Sequence, residues 1–141
     1  VPFRDDRSWR RHVTWLEGEL PGAALDSLRA VPAPERAGAW QQAWLRIAAD
    51  AGRDAETAAR AHLLRIVAAD ERFGQFGRGA LSDRGRVFIR LGEPDRIERY
   101  GDDLTRSGVW EVWIYRAASR RFLFYDAHGV GDFRLSEERA L

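Results

Sequence analysis

The chain has 141 residues and a formal net charge of +1, with 45% hydrophobic, 11% aromatic and 32% charged residues. That is the size and balance of one folded domain with its own core, which excludes a disordered chain and a global positive field for steering nucleic acid. Cys and Met are absent and all 23 basic side chains are Arg, so disulfide frameworks, thiolate nucleophiles and Cys-ligated zinc are excluded as well.

Residues 5–18 read as a helix, with Asp5 or Asp6 as cap and Trp9, Val13 and Leu16 recurring at i, i+4, i+7. Gly18 and Pro21-Gly22 end it. A short helix over 23–30 follows, with Leu25 and Leu28 inward, and then the stiff connector Val31-Pro32-Ala33-Pro34. Pro34 suits a first helical position, and the helix it opens runs to about Asp50 with Trp40, Trp44 and Ile47 on one face. Asp54 caps a further Ala-rich helix to about Arg72, and residues 73–79 leave the helical regime.

From Arg86 the period shifts toward two. Val87, Ile89 and Leu91 alternate with Arg86, Phe88 and Arg90, which predicts a strand over 86–91. A second strand is predicted over 109–116, with Trp110, Val112 and Ile114 on one face and Glu111, Trp113 and Tyr115 on the other. A third spans 121–126 and a short fourth 132–135, joined by hairpin-length links. Residues 100–108 form a longer polar loop, expected to be mobile. The fold class is therefore α+β: three to four N-terminal helices packed on a small C-terminal antiparallel sheet of three to four strands, in a single domain over 1–141 with a helical part (1–78) and a β part (79–141).

The densest turn chemistry lies between these halves. Ser82, Asp83, Arg84 and Gly85 read as a capped turn, in which Gly85 takes a backbone angle other residues dislike. Gly92, Glu93, Pro94 and Asp95 form a corner: Pro94 keeps Glu93 extended and Asp95 caps the turn beyond. A single Gly here is no phosphate cradle.

Three groups are candidates for chemistry or contact. Glu111, beside large aromatics on its strand face, needs a cationic partner such as Arg86 or Arg90; its alternative role is general acid or base. Asp126, His128 and Asp132 flank the last hairpin and could hold a divalent metal, but hairpins use Asp and Gly routinely and no second His stands at ligand spacing. Trp9, Arg10 and Arg11 mix aromatic and cation as a contact surface does, and Trp110, Trp113 and Tyr115 are further anchors of the type found at interfaces.

These motifs resemble a known family. Ser82-Asp83-Arg84-Gly85-Arg86-Val87-Phe88-Ile89, Leu91-Gly92-x-Pro94-Asp95, Glu111-x-Trp113-x-Tyr115, Phe122-x-Phe124-x-Asp126 and Gly129-x-Gly131-Asp132-Phe133-Arg134-Leu135 are similar to the bacterial GWxTD domain. Glu35-Arg36 and Asp70-Glu71-Arg72-Phe73 fit its helical half. At the motif itself the chain departs: Gly79-Ala80-Leu81-Ser82-Asp83 has Ala80 in place of Trp and Ser82 in place of Thr, and Ala48-Ala49-Asp50-Ala51 stands where the family has Arg-Asp-Pro. A fainter likeness, over about 85–126, is to the SmpA/OmlA-type outer-membrane assembly lipoproteins, which are accessory subunits rather than enzymes.

The Arg-only usage, with Ala and Gly plentiful, fits a GC-rich bacterial genome. The chain opens at Val1 rather than Met, read as a processed or truncated start, which leaves room for a signal peptide or lipid anchor before it. The expected function is a non-enzymatic protein-interaction domain of the bacterial envelope, an accessory or assembly subunit docking on a larger membrane-associated complex on the periplasmic side. No cofactor, metal or nucleic acid is expected; peripheral membrane contact stays open. The alternatives are a small metal-dependent or acid–base hydrolase using Glu111, Asp126, His128 and Asp132, and a small-ligand-binding module with the 100–108 loop as its lid.

Overall fold

The structure, a computed structural model, describes residues 3–101 and 108–141. Most of the expected 100–108 loop therefore lies outside the described residues. The chain divides into two compact units, residues 1–64 and 65–141.

The first unit is helical. Helix α1 (Asp6–Thr14) starts at Asp5, whose carboxylate accepts the Ser8 N–H at 2.8 Å. The helix ends at Thr14, short of the expected Gly18, yet Trp9 and Val13 on it and Leu16 just beyond its end are all fully buried. Helix α2 (Gly22–Arg29) contributes Leu25 and Leu28, and the Trp9 indole N–H donates to the Leu28 carbonyl at 2.9 Å. A 3-10 turn at Ala33–Glu35, with Pro34 inside it, leads into α3 (Arg36–Asp50), which adds Trp44 and Ile47 to the same core. Arg36 is buried and spends its donors on the carbonyls of Phe3 and Val31 and on Asp6, at 2.9, 3.1 and 2.7 Å. Helix α4 (Ala55–Arg72) begins in this unit, capped by Asp54 on the Thr57 N–H, and ends in the second.

In the second unit, α5 (Asp83–Leu91) precedes a four-stranded antiparallel sheet: β1 (Arg96–Tyr100), β2 (Val109–Tyr115), β3 (Arg120–Asp126) and β4 (Arg134–Ala140), in the spatial order β1-β2-β3-β4. The fold class is α+β, helices first and an antiparallel sheet after. Burial alternates along β2 and β3, so Val109, Glu111, Trp113, Tyr115, Phe122, Phe124 and Asp126 face the core.

Three sequence expectations change. The predicted strand over 86–91 is helix α5, because Ser82 caps it and Val87, Phe88 and Leu91 also satisfy a helical period, leaving Arg86 and Arg90 exposed one turn apart. The first strand is instead β1, whose charged sequence and edge position hid it. The last strand begins at Arg134 rather than 132 and runs to Ala140, entirely exposed along its length. No helix among the described residues is long and apolar enough to cross a membrane.

Candidate functional site

The start of α5 is built by small groups. The Ser82 hydroxyl donates to the Gly79 carbonyl at 2.6 Å and accepts the Gly85 N–H at 3.0 Å. Asp83 reaches β4 and accepts the Leu135 N–H at 2.7 Å. Gly85 has no unusual backbone angle, contrary to expectation. It is glycine because a Cβ there would stand 1.9 Å from the Gly79 carbonyl oxygen, and Gly79 itself leaves only 2.1 Å to the Ala69 carbonyl oxygen. Gly92 closes the helix at φ 80°, its N–H donating to Phe88. The corner is then tied to the end of β2 and to α4: Asp95 accepts the Arg116 N–H at 2.7 Å and the Tyr115 hydroxyl donates to the Gly92 carbonyl at 2.8 Å, while Glu93 holds Arg72 of α4 through both oxygens. Burial pushes the Tyr115 phenol well above its ordinary range.

Arg84, in the first turn of α5, is the charged centre. Its guanidinium lies over the rings of Phe73 and Phe133, 4.9 and 4.3 Å from their centroids. One nitrogen, Nη1, donates to both Glu111 oxygens at 3.4 and 3.5 Å. Glu111 also accepts the Trp113 indole N–H at 2.8 Å and has Arg99 at 3.9 Å. Burial draws the Arg84 guanidinium below its usual range and the Glu111 charge pushes it back, with Arg99 and Asp126 further off. Asp126 is buried: one oxygen accepts the Gly131 N–H at 2.7 Å, and the other has no protein partner among the described residues. Beside this cluster opens a cleft of about 390 Å³ that Arg84 lines with Phe76, Leu81 and Phe133.

The other face of the sheet has a different character. The pairing register sets Trp110 beside Tyr125 and Val112 beside Leu123, with Ile114 next along β2. All five are half-buried, and Tyr100, opposite Trp110, is exposed. The Trp110 and Tyr125 rings stack at 4.6 Å with a 30° tilt. The outer strands border this apolar centre with ion pairs, Arg96–Glu98 on β1 and Glu137–Arg139 on β4, at 3.3 and 2.6 Å.

The sequence model of the GWxTD domain matches residues 27–133, most of the chain and all of α5. The chain belongs to the GWxTD-domain family. No curated protein and no solved structure matches the chain significantly, so the SmpA/OmlA likeness stays a likeness of pattern. In this GWxTD domain Ala80, at the Trp position of the motif, is completely buried, and its N–H donates to Asp70 at 2.8 Å.

Several expected contact residues are core. Trp9, Trp113 and Tyr115 are 0%, 1% and 4% exposed, so they hold their units together rather than face a partner. Arg10 is exposed and Arg11 half-buried; Trp110 is the expected aromatic anchor that reaches solvent. Glu111 pairs with Arg84, not with the expected Arg86 or Arg90, because α5 turns its first turn, rather than a strand, toward β2. Glu111, Asp126 and Asp132 each have a separate partner, Asp132 being held by Arg134, while His128 is exposed. Among the described residues no group of three or more His, Asp or Glu could hold a metal ion. Sequence reasoning missed Arg84 as the centre and Phe73, Phe133 and Phe76 around it; the one available signal was an Arg directly after a Ser-Asp cap.

Proposed function

We propose that this GWxTD domain is a non-enzymatic protein-interaction domain, an accessory subunit that docks on a larger complex through the outer face of its sheet. The observation that supports this is the character of that face. An antiparallel sheet with one side on the core ordinarily turns polar side chains outward. Here the central strands turn out Trp110, Val112, Ile114, Leu123 and Tyr125, with the charged Arg121 opposite Ile114 at one end, and ion pairs border them. An apolar centre with a charged rim is the anatomy of a docking surface. The separate engagement of Glu111, Asp126 and Asp132 favours binding over acid–base chemistry. As part of the same proposal, the complex is membrane-associated and faces the periplasm, a setting supported by the family resemblance.

Photo-crosslinkers at Val112 and Leu123 in native cells test the surface. Adducts with one partner protein in the membrane fraction, lost in the Trp110→Ser/Ile114→Glu variant, are expected. The proposal fails if neither position gives adducts while a crosslinker at exposed Arg53 behaves identically.

A further inference from the structure

We propose that the cleft at Arg84 is a binding site for an organic monocarboxylate on an apolar stem. This goes beyond the docking proposal, since the cleft lies on the side of the sheet packed against α5.

The argument starts from unspent donors. Arg84 is 9% exposed as a residue, and Phe73 and Phe133 hold its guanidinium in place. Glu111 engages only Nη1, and at long distance. Nε and Nη2, the edge of a guanidinium that meets a carboxylate in a bidentate fork, have no hydrogen-bond partner among the described residues. The side chain keeps 11% of its surface accessible, in the cleft it lines. A fixed, largely desolvated guanidinium with a free fork is preorganised for a planar anion.

A second set of donors adjoins it. The N–H groups of Asp83 and Arg84, the first two of α5, donate to no protein acceptor among the described residues, whereas that of Gly85 donates to the Ser82 hydroxyl. Both residues line the cleft.

The surrounding charges select the class of anion. Glu111 touches Arg84 and Asp126 is within electrostatic range of it. Asp83 and Asp132 stand on the cleft wall, already bound to Leu135 and Arg134. Arg78 and Arg134 also line the cleft but are bound to Asp70 and Asp132, so Arg84 presents the unspent fork, whose planar geometry fits a single carboxylate rather than a tetrahedral dianion such as phosphate. The walls select the rest: Phe76 and Leu81 are 63% and 41% exposed at the cleft, offering apolar surface to a hydrophobic stem.

Nitrogen-15 NMR of the full chain, with arginine Nε–H signals resolved, tests this with five probes: 3-phenylpropionate, 3-phenylpropanamide, inorganic phosphate, and acetyl-Gly-Gly-Leu-Phe as free acid and as amide. The carboxylates are expected to shift Arg84 Nε–H and the amides of 81–84 and 131–134, with affinity at least about tenfold above the matching amides and phosphate. A tighter free acid than peptide assigns the stem to a small molecule, and the reverse assigns it to a chain terminus; either keeps the carboxylate anchor. Arg84→Gln combined with Glu111→Gln, a neutral pair of similar size, should erase the acid–amide difference. Should that variant fail to fold, Phe76→Ser alters only an exposed wall and should weaken the acid about threefold. Equal binding of acid and amide, phosphate binding as well as the acid, or no shift with any probe overturns the site. Crosslinking at Val112 and Leu123 is unaffected by any of these outcomes, so the two proposals fail separately.

Discussion

The Asp83 carboxylate accepts the Leu135 N–H at 2.7 Å, joining the first turn of α5 to the start of β4 across 52 positions. The same side chain sits in the acidic first turn that a helix N-terminus favours. One group thus serves a local and a long-range contact, and it ties the exposed edge strand to the core.

Asp83→Ala should therefore destabilise the domain by about 1–3 kcal/mol, the range for leaving a charge-assisted hydrogen bond unmade. Urea unfolding measures the loss. Hydrogen exchange should show it first at Leu135, and uniform loss of protection through β2 and β3 instead would mean that the contact does not anchor β4 specifically.

Gly79→Ala and Gly85→Ala should each cost about 3 kcal/mol or prevent folding. In both cases the added methyl meets a backbone carbonyl, 2.1 and 1.9 Å from its ideal position, which no rotamer change relieves. Gly38→Ala, in open space within α3, serves as the control and should gain roughly 0.5–1 kcal/mol from helix propensity. Thermal unfolding distinguishes the three.

Removing one half of the buried ion pair should cost more than replacing both. Glu111→Ala leaves Arg84 with only the more distant Asp126 for compensation, and the Trp113 indole N–H loses its acceptor. A loss of about 3–5 kcal/mol is expected. Arg84→Gln with Glu111→Gln together should lose markedly less, and denaturant midpoints for the single and double variants check the order.

Tyr115 predicts an alkaline limb in the stability profile. Burial raises its phenol in the folded protein above the ordinary value of about 10, so the unfolded chain ionises first as pH rises. Its contribution is complete below about pH 10 and is lost as pH climbs from there toward the folded value. Tyr115→Phe should lose about 1 kcal/mol near neutrality, with the bond to Gly92, and should show a shallower decline between about pH 9 and about pH 11. Parallel declines in both proteins would exclude Tyr115 as the cause.

Much of the first unit was legible residue by residue. Trp9, Val13 and Leu16 share a helical stripe in the sequence, and all three are fully buried. Asp5 and Asp54 cap where short polar side chains before apolar periods predict caps. Helix α5 was misread because six residues satisfy both periods, and only the Ser82 hydrogen bonds choose between them. The cleft was less legible still. Arg84 acquires its meaning from Phe73 and Phe133, which lie on either side of it in the chain and meet it only through folding.

What the sequence determined by itself was local: the order of helices before strands, the caps, the corner at Gly92 and Pro94, and the alternation along β2. Each depends on residues within a few positions of one another, where backbone sterics and short hydrogen bonds decide. What only the tertiary structure decided was which side of an alternation is covered. Trp110 and Trp113 are the same residue type on one strand, yet Trp113 is core and Trp110 lies on the outer face. A period of two defines two faces without choosing between them; the packing of Phe73, Arg84 and α5 against Glu111 and Trp113 makes that choice.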